Sequence, residues 1–62
     1  MRAIYEGKQY TLKGRRRVRE LLNTLNLNRE EVLVIRGKEL LTEDDWIEEN
    51  DEVEIWNVIS GG

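Results

Sequence analysis

Val18, Leu21, Leu22 and Leu25 fall at i, i+3, i+4 and i+7, one apolar stripe at helical period. The other apolar residues mostly alternate or run in short blocks, as strands do, so the chain has one helix to lay on one sheet. A chain of 62 residues makes a single domain, expected over residues 1–62 with a flexible tail at residues 60–62. A chain this short buries only about 60% of the surface that its unfolded form exposes. It has no Cys and no His, so neither a disulfide nor the usual zinc ligands can staple it. The core must hold it together alone.

Met1 to Glu6 alternates, with Met1, Ala3 and Tyr5 on one side and Arg2, Ile4 and Glu6 on the other. Gly7-Lys8 reads as a two-residue hairpin turn, and Gln9 to Lys13 alternates again with Tyr10 and Leu12 facing one way. The helix weakens at Asn23 and Asn26 and is expected to stop at Asn28. Its start lacks a capping residue: Gly14-Arg15-Arg16-Arg17 places three cations at the positive end of the helix dipole.

Val32-Leu33-Val34-Ile35 is apolar on both faces, so one face lies on the helix and the other is covered or exposed. Gly37-Lys38 is a second turn and Glu39-Leu40-Leu41 a short edge strand. Thr42-Glu43-Asp44-Asp45-Trp46-Ile47 opens with a good N-cap and acids, which predicts a short helix or 3₁₀ turn. Trp46 and Ile47 are then expected to plug one end of the core. Asn50-Asp51 turns into a last strand in which Val53 and Ile55 alternate with Glu52 and Glu54.

The order is β-β-α-β-β-(short helix)-β. It predicts an α+β roll: a mixed sheet of four to five strands on one long helix, with the last strand beside the first. The expected core is the helix stripe with Ala3, Tyr5, Tyr10, Leu12, Leu33, Ile35, Val53 and Ile55.

Charge is lopsided. Residues 1–38 carry ten bases and four acids, while residues 39–62 carry nine acids and no base. This asymmetry either points to charged partners or means that the two halves face each other. Lys13, Arg15, Arg16, Arg17 and Arg19 lack interleaved aromatics, and the whole chain is acidic, which argues against nucleic acid. An acidic protein surface is the better partner for them.

The acids from Glu43 to Glu54 lack the spacing of a calcium loop, and no phosphate-binding glycine loop or general acid–base pair is evident. No apolar run approaches the ~18 residues of a membrane span, and no signal-peptide core is evident. A soluble, cytoplasmic, non-enzymatic chain that binds no metal is the expectation.

The last strand runs into Ser60-Gly61-Gly62. This is either a frayed end or a reactive one, because two residues without Cβ atoms can thread a narrow channel.

With this element order, the chain resembles the ubiquitin-like β-grasp family and, within it, the sulfur carriers of thiamine and molybdopterin biosynthesis (ThiS/MoaD). The resemblance rests on Val18-Arg19-Glu20-Leu21-Leu22, on Val32 to Gly37, on Trp46, on the acidic turn into Val53, and on Val58-Ile59-Ser60-Gly61-Gly62. Short length and Trp46 favour the thiamine branch. Two features depart from the pattern: Arg15–Arg17 stand where a small or capping residue is common, and Asn50-Asp51 lacks the usual Gly.

The resemblance implies a carrier. An adenylyltransferase similar to ubiquitin-activating enzymes couples the Gly62 carboxylate to AMP. Sulfur from a persulfide donor, a cysteine desulfurase or rhodanese, then replaces AMP to leave a thiocarboxylate, which a thiazole synthase consumes. No cofactor is bound, and ATP is used by the activating partner. Gly61 and Ser60 provide slim passage, and Ser60 has no His to activate it as a nucleophile.

The partner interface is expected on the sheet face away from the helix, at Ile4, Val34, Trp56, Val32 and Val58. The alternatives are a protein modifier forming isopeptide bonds through Gly62, a carrier for molybdopterin or tRNA thiolation, and an interaction module with an incidental tail.

Overall fold

The first hairpin is closed by two residues with positive φ. In the computed structural model, which describes residues 1–58, β1 (Arg2–Tyr5) and β2 (Lys8–Thr11) are joined by Glu6 and Gly7 at φ 51° and 79°. Positive φ at both central residues matches the twist of the flanking strands. The turn therefore sits one residue earlier than Gly7-Lys8, and Tyr5 pairs with Lys8. The second hairpin, β4 (Val32–Arg36) to β5 (Glu39–Leu41), turns at Gly37-Lys38 as expected, with Gly37 at φ 64°.

Helix α1 spans Val18–Thr24, only seven residues. It stops short of Asn28: Leu25 is its C-cap, and Asn26 just beyond takes a left-handed conformation at φ 59°. The Leu27 amide then donates to the Leu22 carbonyl at 2.8 Å and the Asn26 amide to the Asn23 carbonyl at 3.1 Å. These two bonds satisfy carbonyls that a helix end leaves open. Asn28 instead starts a 3₁₀ turn (Arg29–Glu31), where its side chain accepts from the Glu30 amide at 2.9 Å.

A seven-residue helix has little stability of its own. Burial of Val18, Leu21 and Leu22 holds it, at about 1.5–3 kcal/mol for each side chain.

The uncapped start is capped from far along the chain. The Val18 amide donates to the Asp45 carbonyl and the Arg19 amide to the Glu43 carbonyl, both at 3.0 Å, and the Arg17 amide donates to the Glu20 carboxylate at 2.9 Å. The expected short helix at Thr42–Ile47 is accordingly absent. Its capping residues make a turn: the Thr42 amide donates to Asp45 Oδ2 at 2.8 Å, and the Asp45 amide to the Thr42 carbonyl at 3.1 Å. The chain then extends as β6 (Trp46–Ile47), paired antiparallel with β3 (Arg16–Arg17) just before the helix.

The main sheet has the order β2-β1-β7-β4-β5, with β7 (Glu52–Asn57) in the centre. β1 and β7 are parallel and the other pairs are antiparallel. The core consists of Met1, Ala3, Val18, Leu21, Leu22, Val32, Val34, Leu41, Ile47, Val53 and Ile55, ringed by Tyr5, Tyr10, Leu12, Leu25 and Leu27.

Two core assignments are reversed. Val32 and Val34 are buried, whereas Leu33 is exposed and Ile35 half-buried on the opposite face. The register explains this: Val34 pairs with Ile55, Leu33 with Trp56 and Ile35 with Glu54. Cross-strand partners share a face, so β4 inherits its inward set from β7. Ile47 is fully buried as expected, but Trp46 is not part of the core.

Candidate functional site

The outer face of the sheet is organised around β7. Val53 and Ile55 turn inward, which leaves Glu52, Glu54 and Trp56 outward. Register then sets one row across all five strands: Gln9, Ile4, Glu54, Ile35 and Leu40. The next row brings Leu33 beside Trp56. Leu40 is 59% exposed, Trp56 55% and Leu33 40%, an apolar cluster of the kind that marks an interaction surface.

Of the residues expected on this face, Ile4 and Trp56 lie on it. Val34 and Val32 do not, because pairing with β7 turns them into the core. Val58 is exposed just past β7, and its amide donates to the Glu31 carbonyl at 2.8 Å. Leu33, Ile35 and Leu40 belong to the face and were missed. Leu33 and Ile35 sit on β4, which is apolar on both sides, so only the charged alternation of β7 could have signalled its parity; Leu40 of β5 follows from pairing with Ile35. Ser60, Gly61 and Gly62, the expected reactive tail, lie outside the described residues.

The turn feeding β7 is held by one carboxylate. Asp51 Oδ2 accepts from the Glu48 amide at 2.9 Å and from Arg36 Nη1 at 2.8 Å. The Glu48 amide first, and Arg36 second, hold the Asp51 carboxyl below its ordinary range, against an opposing effect of burial. Arg36 also donates to the Trp46 carbonyl at 3.0 Å and to Glu39 at 3.1 Å, and the carboxylates of Glu39 foremost and Asp51 next raise its own pKa. No residue of the Asn50-Asp51 turn has positive φ, so the turn does not require a glycine.

The basic run meets acids of its own chain. Arg15 pairs with Glu48 at 3.2 Å, Arg17 with Asp44 at 3.7 Å, Arg19 with Asp44, and Arg29 with Glu43. Arg15 and Arg17 both lie over the Trp46 ring, their guanidinium carbons 4.0 and 4.7 Å from its centroid. The halves of the lopsided chain thus face each other. Each exposed pair contributes only about 0–1 kcal/mol, so the cluster orients the 42–48 segment more than it stabilises the fold.

A cleft of about 340 Å³ opens beside the helix start and the β4–β5 hairpin, walled by Val18, Leu22, Val32, Val34, Leu40 and Leu41. Arg29 and Glu43 on its lining are paired with each other. Among the described residues, no cluster of His, Cys, Asp or Glu converges to hold a metal, and no helix is long and apolar enough to cross a membrane.

Comparison with known proteins agrees with this architecture. The family model described as "ThiS family" matches residues 3–62. The sulfur carrier protein TtuB of Thermus thermophilus is 47% identical over 57 residues, covering 92% of this chain and 88% of that one. The crystal structure of the thiamine biosynthesis protein ThiS from Geobacter metallireducens superposes with a TM-score of 0.68 at 29% identity, covering all of both chains. The chain belongs to the ThiS family of ubiquitin-like sulfur carrier proteins, small β-grasp carriers rather than enzymes.

Proposed function

We propose that this carrier works through a thiocarboxylate on Gly62 and that the outer sheet face is where its partners dock. The observation that carries the reading is the family match, which runs through Ser60-Gly61-Gly62. A carboxylate is a poor electrophile until one oxygen becomes part of a good leaving group. Attack of the Gly62 carboxylate on ATP expels pyrophosphate and gives the acyl adenylate. A persulfide sulfur then displaces AMP, and a thiol of the donor closes the S–S bond to release the thiocarboxylate. Nothing in this sequence requires a base on the carrier. Its own residues supply an unhindered end and a recognition face on the strand that leads to it.

Thiazole synthesis is the acceptor reaction we favour, supported by the full-length match to a thiamine biosynthesis protein. The 47% identity to TtuB, a sulfur carrier whose name makes no mention of thiamine, favours a second reading. There the same thiocarboxylate serves another acceptor, such as a tRNA base or a molybdopterin precursor.

The chemistry is tested by incubating the chain with ATP and the adenylyltransferases of its own genome, then with a persulfide donor. Intact mass should show AMP attached, then one oxygen replaced by sulfur. Deleting Gly62 should abolish both species, and their persistence would end the proposal. Deleting the gene separates the acceptors: thiamine auxotrophy supports the first, loss of thiolated tRNA nucleosides or of molybdopterin the second.

A further inference from the structure

We infer that Glu54 decides which protein can dock on the outer face, by requiring an arginine opposite it. The inference rests on the reading of that face as the docking surface. Glu54 lies within β7, the central strand of five, with Ile4 and Ile35 as its partners on either side. Leu33, Leu40 and Trp56 complete the surroundings. The other outward acid of the strand, Glu52, is paired with Arg2 at 2.9 Å. The Glu54 side chain forms no hydrogen bond or ion pair among the described residues. Beside the Arg2–Glu52 pair and Gln9, the cluster of Ile4, Ile35, Leu33, Leu40 and Trp56 therefore has an unpaired carboxylate near its middle.

That carboxylate sets the terms of association. A partner that removes water from Ile4, Ile35, Leu33 and Trp56 also removes it from Glu54, and an unpaired carboxylate is costly to bury. A partner without a cation at that point is rejected. Closure of the patch on a second copy about a two-fold axis at its centre is disfavoured too, because it brings Glu54 close to Glu54.

Arginine fits better than lysine. Its planar fork matches a carboxylate in two hydrogen bonds, and it sheds water more easily than an ammonium. Trp56 lies two residues along the same face, so one guanidinium can bond Glu54 and stack over the indole. The occupant is a protein surface of apolar contour carrying one arginine.

The test uses Glu54→Gln, Glu54→Leu and Trp56→Ala in the full chain. Folding is verified by circular dichroism, and carrier-dependent pyrophosphate release is followed with the adenylyltransferase that accepts the wild type. Glu54→Gln should raise KM for the carrier about tenfold or more at unchanged kcat and flatten its dependence on salt. Glu54→Leu should self-associate in sedimentation equilibrium at concentrations where the wild type is monomeric.

A Glu54→Gln variant with wild-type KM and salt dependence, or a Glu54→Leu variant that stays monomeric, overturns the inference. If Trp56→Ala raises KM and Glu54→Gln does not, only the role of Glu54 falls. If Trp56→Ala leaves KM unchanged, or no adenylyltransferase accepts the wild type, the docking face falls and the inference with it.

Discussion

Arg36 Nη1 stands 2.8 Å from Asp51 Oδ2, tying the end of β4 to the turn that launches β7. The same carboxylate oxygen accepts the Glu48 amide at 2.9 Å, so one atom fixes both the turn and its attachment to the sheet. These bonds exist for the ionised carboxylate, whose pKa is depressed in the folded chain. A depressed folded pKa contributes stability above the unfolded value of about 3.9, and that stability is lost as pH falls through the folded value. Urea midpoints should therefore drop below about pH 4. Asp51→Asn should cost about 1–2 kcal/mol at neutral pH and show a shallower acid decline than the wild type.

The parity of β4 gives a paired prediction. Val34 is 3% exposed in the core, whereas its neighbour Leu33 faces out beside Trp56. Val34→Ala should lower stability by about 2 kcal/mol, the loss of two methyl groups and a partly unfilled space. Leu33→Ala should change stability by less than about 1 kcal/mol and weaken binding to the activating enzyme, as should Trp56→Ala. Equal destabilisation by the two β4 substitutions in urea titrations would contradict the register.

Trp46 is expected to matter through its two arginines. Both guanidiniums lie over its ring, and the backbone of its strand β6 pairs with β3. Trp46→Ala should destabilise the chain by about 1–2 kcal/mol. Arg15→Ala and Arg17→Ala should each cost under about 1 kcal/mol. Faster amide exchange at Val18 and Arg19 in Trp46→Ala would show that loosening β6 frees the carbonyls of Glu43 and Asp45 that cap the helix.

Glu6 holds a positive φ of 51° that a β-carbon disfavours. Its side-chain hydrogen bond, an exposed one from Asn57 Nδ2 at 3.0 Å, offsets little of that cost. Glu6→Asn should raise stability by about 0.5–1 kcal/mol, since Asn-Gly is the preferred pair for such a turn. Glu6→Val should lower it, and thermal unfolding of the two variants would show the opposite shifts.

What the sequence determined by itself was local. The helix stripe was readable because Val18, Leu21 and Leu22 recur at a period that only a helix places on one side. The Gly37-Lys38 turn needed only its glycine, and the parity of β7 was visible because Glu52 and Glu54 alternate with Val53 and Ile55. Those features, with the element order, were enough for the fold.

Tertiary structure decided the rest. Val32-Leu33-Val34-Ile35 has no polar residue to mark its outer side, so its facing was set by pairing with β7, and that pairing moved the apolar patch from Val34 to Leu33, Ile35 and Leu40. The Thr42–Asp45 signal reads equally as a helix start or a tight turn. Two amides at the beginning of α1 needed carbonyl partners, and supplying them from Glu43 and Asp45 required the chain to turn there and extend. A hydrogen-bonding need at one point of the chain settled the conformation of another, and no local pattern encodes such a demand.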